Sequence, residues 1–327
     1  MVNLNTLYKN KELLCHEKSN KHVKFTTKTN SYPRQCNQSS HSIICNSQTM
    51  KPNECITNLI NSPNNFKIFH QNVRGLANKI DEFLLPLSDI NPHILCTTEH
   101  HLRPEEINII NLGQYTLGAH YCRRHSKQGG VSIFILNNII YEVIDLNQFN
   151  KEKDLEICDL KIKLMLTYLI VLRIYRSPSG NFSYFITQIE IVLNKLYKIS
   201  LNKIVCDDFN VNFLDSSSKA PLLKSLYYSF GLESTVDFPT RIMPSSQTLI
   251  DNIFLDKKNL NTITYPFING ILDHDGQIVT LLDVTSPSRK TPFISIHPPI
   301  QWRYSPTGPW PTERPPPVSE ASANFCR

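Results

Sequence analysis

KIVCDDFNVN, residues 203–212, is the stretch on which the fold turns. Ile204, Val205 and Cys206 form an apolar run that passes through Asp207 and Asp208 into a polar turn at Asn210. A short apolar run bounded by turn residues reads as a buried strand. The same ending recurs along the chain. FKIFHQN (66–72), with Phe66, Ile68 and His70 at alternate positions, stops at Asn72. HILCTTE (93–99) stops at Glu99, and TYLIVLRIY (167–175) stops at Tyr175. Asp273 and His274 open DHDGQIVTLLDV (273–284), the last strand. Ligands of α/β folds collect beyond strand ends, so these five ends could converge on one pocket.

Between these strands lie others. GGVSIFI (129–135) is a strand led by a glycine pair, and TLIDNIFL (248–255) is another. DLEICDLKIK (154–163) and TYLIVLRIY alternate in the manner of a hairpin-type pair. Helical spacing marks 182–197, through Phe185, Ile189, Leu193 and Leu196, and also 219–230. A further helix is expected over 78–87, with Ile80, Phe83, Leu84 and Leu87 on one face and Pro86 and Pro92 helping to stop it. No internal repeat is present. Strands alternating with helices predict an α/β domain with a large mixed-sheet content.

The flanks differ from this middle. Residues 1–65 are rich in Asn, Ser, Lys and Thr and carry +5, with eight Lys/Arg against three Glu. A disordered or loosely ordered basic segment is expected there. Residues 285–327 carry +3, and ten of the 21 prolines follow Ser286, which predicts a disordered Pro-rich tail. With +6 overall, the expected domain at 66–284 carries −2, so the basic balance is no argument that it binds nucleic acid. None of the nine cysteines sits at CxxC spacing. Cys96, Cys158 and Cys206 fall in strand-like runs and read as reduced core residues, which suits an intracellular protein of nucleus or cytoplasm. No signal-peptide stretch opens the chain, and the longest apolar run, 164–172, is too short to cross a membrane and reads as a buried strand.

The strand-end residues suit phosphoryl transfer. Magnesium prefers oxygen ligands and commonly takes only one or two carboxylates. Glu99 is the candidate principal ligand, with Asn72 and Asp273 helping directly or through water. Asp208 and Asn210 could hold an attacking water and a phosphate oxygen. His274 could donate to a phosphoryl oxygen or relay a proton, with Asp251 of LIDNIF orienting its imidazole. Tyr175 could bind the phosphate. Each feature alone is ordinary, since an Asp-x-Asn is usually a turn and a strand-end Glu is usually solvated. Only the ordered set is informative.

That set resembles the endonuclease/exonuclease/phosphatase family. The motifs, in order, are QNVRGL (71–76), TTEHHL (97–102), KQGGVSIFI (127–135), YRSPSG (175–180), DDFNVNF (207–213), TLIDNIF (248–254) and DHDGQIV (273–279). They span 66–283, and QNVRGL, YRSPSG and IDNIF resemble the endonucleases of non-LTR retrotransposons most. The resemblance implies a four-layer sandwich of two mixed β-sheets flanked by helices, and metal-dependent phosphodiester cleavage with Mg2+ or Mn2+. It implies metal binding by Glu99 with Asn72 and Asp273 nearby, Asp208 and Asn210 at the water and phosphate, Tyr175 at the phosphate, and an Asp251–His274 pair. Whether the Asp or the His activates the water stays open.

The expected function is therefore a magnesium-dependent DNA-nicking endonuclease, with DNA as partner and no obligate protein partner evident. The chain ends without the polymerase's paired-aspartate motif, so a fragment or truncated copy is expected. Asp207 stands where the family usually has Gly, and Leu272 where it usually has Ser. Both changes fit the alternative of a catalytically impaired relic that only binds nucleic acid; a small-molecule phosphatase is the third reading. The loop HYCRRHSK (120–127) offers Arg123, Arg124 and Lys127 to a DNA backbone, and Arg74 could contact phosphate near the centre.

Overall fold

The apolar alternation of the middle segment resolves into two six-stranded sheets packed face to face. The computed structural model describes residues 62–285 and 287, except 127, 216–218 and 272. Expectations for 1–61, for most of the Pro-rich tail, for Lys127 and for Leu272 lie outside the described residues. The strands in chain order are β1 (Phe66–Asn72), β2 (Ile94–Thr98), β3 (Tyr115–Tyr121), β4 (Val131–Leu136), β5 (Tyr141–Glu142), β6 (Glu156–Lys163) and β7 (Tyr168–Tyr175). They continue as β8 (Asn202–Asp208), β9 (Glu233–Ser234), β10 (Arg241–Met243), β11 (Ser246–Thr248), β12 (Asp251–Leu255), β13 (Thr262–Phe267) and β14 (Gly276–Leu281). One sheet runs β13-β14-β1-β2-β4-β3 and the other β5-β6-β7-β8-β12-β9; β10 and β11 form a separate hairpin. Both sheets are mixed, since β1–β2 and β7–β8 pair in parallel while their other neighbours are antiparallel.

Side chains alternate across a strand, so each sheet serves two layers. Phe66, Ile68, Ile94, Cys96, Val131 and Ile133 face the second sheet. Phe69, Leu95, Phe134 and Ile278 face the opposite way, against Phe83 of helix α1 (Ile80–Leu84) and Ile107 of α2 (Pro104–Ile107). The second sheet is covered by α3 (Phe182–Tyr197) and α4 (Lys219–Ser229). Helix α3 starts where Asn181 accepts a hydrogen bond from Tyr184 N at 3.0 Å, and it buries Phe185, Ile189, Val192, Leu193 and Leu196 at helical spacing. The result is helix, sheet, sheet, helix: the expected four layers.

Three readings change. The helix expected over 78–87 is broken into the 3-10 turn Ala77–Lys79, α1, and the 3-10 turn Leu85–Leu87; Pro86 has no N–H to continue an α-helical ladder. The apolar run 164–172 is not one strand. It turns through 165–167, Leu166 is 99% exposed, and β7 begins only at Tyr168. Edge strands β3 and β13 and the β10–β11 hairpin were not read from the sequence, although Tyr115, Leu117, Ala119 and Tyr121 alternate in β3 and Ile263, Tyr265 and Phe267 in β13; both edge strands are mostly half-buried. Cys96, Cys158 and Cys206 are buried and free, as expected.

Candidate active site

Register assembles the site. Tyr175 of β7 pairs with Asp208 of β8, and Asp208 pairs with Asp251 of β12. Three neighbouring strands thus present Tyr175, Asp208 and Asp251 side by side. In the facing sheet Asn72 ends β1 beside Thr98 of β2, Glu99 follows at once, and His274 lies two residues before β14. Asn72, Tyr175, Asp208, Asp251 and His274 are all buried.

Hydrogen bonds then cross between the sheets. Asn72 Nδ2 donates to Glu99 Oε1 at 2.8 Å and to Asp208 Oδ2 at 2.9 Å. Tyr175 Oη donates to Glu99 Oε1 at 3.0 Å. His274 Nδ1 lies 2.9 Å from Asp251 Oδ2, and ligand atoms of Asp208, Asp251 and His274 lie within 4.8 Å of one another. Asn210, with φ of 49°, turns back so that its N–H reaches Asp208 Oδ1 at 3.2 Å and its Nδ2 reaches Arg176 O at 2.9 Å. Buried Arg176 donates to the carbonyls of Phe209, Ser177, Gly180 and Asn210, stapling YRSPSG to DDFN.

Charge is distributed unevenly. Burial, reinforced by the Asp251 carboxylate, pushes the Asp208 carboxyl up to about 7, against the opposing pull of His274. Burial alone would raise Glu99, but the His101 imidazole, the Asn72 amide and the Tyr175 hydroxyl together hold it down at about 2. Burial alone would lower His274, but the Asp251 carboxylate beside it lifts it to about 9. Beside the Asp251 carboxylate, the pocket therefore holds Glu99 as a firm carboxylate, Asp208 with its carboxyl raised, and His274 favoured as imidazolium.

The remaining predicted residues fall in different places. Asp273 uses both oxygens on guanidinium groups, Arg74 Nη1 at 2.8 Å and Arg241 Nε at 2.7 Å, so in this arrangement it organises two arginines rather than presenting a free ligand oxygen. Arg123 is a correction. It is 6% exposed and its guanidinium closes on the buried Glu156 carboxylate at 2.5 Å, so it cannot reach a DNA backbone. Gly129, with φ of 104°, leaves the room that this guanidinium fills. Arg124 is exposed. Sequence reading passed over Arg241, which sits on the β10–β11 hairpin, and His101, whose Nε2 lies 3.4 Å from Glu99 Oε2. The histidine pair in TTEHHL was the available signal for His101; Arg241 had none.

No protein-family model and no curated protein sequence matches this chain. Solved structures do. The endonuclease domain of TRAS1, a telomere-specific non-LTR retrotransposon, is 14% identical with a TM-score of 0.53, over 67% of this chain and 98% of that one. The AP endonuclease LMAP from Leishmania major is 11% identical with a TM-score of 0.55, over 67% and 88%. An endonuclease/exonuclease/phosphatase family protein from Leptotrichia buccalis is 17% identical with a TM-score of 0.50, over 66% and 99%. At these identities the likeness is one of fold. No helix among the described residues is long and apolar enough to cross a membrane.

Proposed function

We propose that this chain, which has the two-sheet fold of endonuclease/exonuclease/phosphatase proteins, hydrolyses phosphodiesters as a divalent-metal-dependent DNA-nicking endonuclease of the retrotransposon kind. One observation carries the reading: strand ends from both sheets meet in a single network in which Asn72 links Glu99 to Asp208 and His274 is held by Asp251. A structural core has no use for three crowded acids, and an acid raised to about 7 beside two others marks an environment that a divalent cation would relieve.

The donor set fits a hard cation. Glu99 would hold it, since Asn72 and Tyr175 occupy only its Oε1. A bound Mg2+ or Mn2+ supplies Lewis-acid stabilisation of charge on the phosphoryl group. The chain's own groups do the rest. Asp208 would accept a proton from water, since burial and the neighbouring Asp251 carboxylate raise its proton affinity. His274, charged and fixed by Asp251, is placed to donate to a phosphoryl oxygen. Tyr175 and Asn72 keep Glu99 ionised and in position. Arg74 and Arg241, about a third exposed and gathered by Asp273, offer guanidinium donors to the flanking phosphates.

The test is nicking of supercoiled plasmid by the full chain in Mg2+ or Mn2+, with and without chelator. Metal-dependent conversion to open circles is expected. Binding of plasmid without nicking in either metal would favour the relic reading, and release of phosphate from soluble monoesters without nicking would favour the phosphatase reading.

A further inference from the structure

The segment TTEHHL places two histidines directly after the candidate ligand Glu99. They do different things. His100 is fully buried and spent on structure: its Nδ1 accepts from Leu102 N at 3.0 Å and its Nε2 lies 3.1 Å from Tyr121 O. His101 turns towards the site. Glu99 and His101 both adopt left-handed backbone, with φ of 52° and 59°, a conformation disfavoured for residues that carry a Cβ. The surroundings enforce it. Glu99 N donates to Gly130 O at 2.8 Å, His101 N donates to Gly129 O at 3.0 Å, and Gly75 N donates to Glu99 O at 2.7 Å. Strain held this firmly at a pocket is a pointer to function.

Its effect is to aim two side chains at one point. Glu99 Oε1 is occupied by Asn72 and Tyr175, while Oε2 faces His101 Nε2 at 3.4 Å. That nitrogen is buried, and Glu99 Oε2 meets it as an ion-pair contact without the geometry of a formed hydrogen bond. A charge-assisted N–H to carboxylate bond is shorter, about 2.7–2.9 Å. Two donor atoms that share one cation, each about 2.1 Å from it and cis to one another, stand about 3.0–3.5 Å apart, and this pair falls in that interval.

We infer that His101 is a ligand of the proposed cation beside Glu99, giving the site a nitrogen donor that favours Mn2+ over Mg2+. The inference rests on the metal-dependent reading above. Imidazole adds affinity for first-row transition ions, whereas Mg2+ prefers oxygen throughout.

The test uses the full chain titrated with Mn2+ and with Mg2+ by calorimetry, and pulsed electron paramagnetic resonance of the Mn2+-loaded protein. His101→Gly and His101→Asn are the variants, since both residues tolerate the left-handed backbone. Wild type should show nitrogen-14 modulation from a coordinated imidazole, and both variants should lose it. Mn2+ affinity should weaken about tenfold and Mg2+ affinity by about threefold or less. Mn2+ bound without imidazole modulation, or modulation that persists in both variants, overturns the ligand assignment while leaving the metal reading intact. Failure of wild type to bind either ion overturns both.

Discussion

Asn72 donates its one amide nitrogen to two carboxylates, Glu99 Oε1 at 2.8 Å and Asp208 Oδ2 at 2.9 Å, and so ties a strand end of one sheet to a strand end of the other. Replacing it by Asp removes the donor and adds a third acid of the same shape. In chelator, Asn72→Asp should lower the melting temperature, since Asp208 Oδ2 loses its donor, at about 1–3 kcal/mol for a buried acceptor left unpaired, while Glu99 Oε1 keeps Tyr175. Divalent metal should recover more of that loss than it adds to wild type, because the cation screens the crowded acids. Scanning calorimetry with and without Mn2+ checks this, and an equal loss in both conditions would contradict a cation at this junction.

Glu99→Gln keeps the shape of the side chain and removes its charge. Metal-dependent nicking should fall by about a hundredfold or more, as expected when a hard cation loses its principal carboxylate. The circular dichroism spectrum should stay unchanged, because Glu99 is a pocket residue at a strand end. A variant that nicks at the parental rate would remove Glu99 from the metal site.

Arg241 and Arg74 share Asp273 and are each about a third exposed. Arg241→Gln should weaken DNA binding about equally across sequences and reduce the slope of log affinity against log salt by about one. Gel-shift titrations at several salt concentrations measure both. An unchanged salt slope would place Arg241 outside the DNA contact. Arg123→Gln should behave differently: it strands the buried Glu156 carboxylate, so its loss should appear in stability rather than in the salt slope.

The His274–Asp251 pair links stability to pH. His274 is raised to about 9 from an ordinary value of 6.5, so its contribution is fully present below about 6.5 and is lost as pH rises through about 9. Melting temperatures in chelator should therefore show wild type most ahead of His274→Gln at pH 6, with the gap closing by pH 10. A gap that stays constant over this range would mean that the imidazole is not charged in the folded protein.

Much of this was legible in the residues. Period-2 alternation located β1, β6 and β7, and short apolar runs bounded by turn residues located β2, β4, β8, β12 and β14, because each is buried between layers and needs apolar side chains on at least one face. β3 and β13 were passed over although both alternate, through Tyr115, Leu117, Ala119 and Tyr121 and through Ile263, Tyr265 and Phe267; they lie at sheet edges and are mostly half-buried, and Gly118 and Pro266 within them read as breaks. Asp208, Asp251 and His274 could be named because Asp208 ends one apolar run, Asp251 interrupts another and His274 opens a third, in an order that only as a set is informative, and the structure brings their ligand atoms within 4.8 Å. Arg123 could not be read correctly. A basic loop looks the same whether its arginine meets solvent or a buried partner, and Glu156 lies 33 residues away in sequence. For His101 the histidine pair in TTEHHL was the available signal, but only the backbone torsions tell which of the two turns towards Glu99.

Asp207 and Asp208 are adjacent in sequence and lie on opposite faces of β8. Asp208 faces the pocket, whereas Asp207 is buried behind the sheet, where Tyr227 Oη of α4 donates to its Oδ2 at 3.3 Å and its Oδ1 has no hydrogen-bond partner among the described residues. Burial pushes its carboxyl well above the usual range, with Arg173 and Arg176 pulling the other way and Asp208 adding to the rise. The consequence of this residue should therefore be read in stability before rate. An acid raised in the folded state but ordinary in the unfolded state loses stability as pH rises from about 3.8 towards the folded value. Asp207→Asn keeps the shape and the acceptor for Tyr227 but cannot ionise. It should match wild type near pH 4 and exceed it increasingly towards pH 8, as followed by urea denaturation in chelator. Asp207→Gly should change nicking by no more than about threefold, because no atom of the side chain faces the pocket and a threefold change is well under the 1.4 kcal/mol of a decade in rate. A large gain in rate with unchanged stability would mean that the carboxylate acts on the substrate through the sheet, and the division of labour between the two faces of β8 would fail.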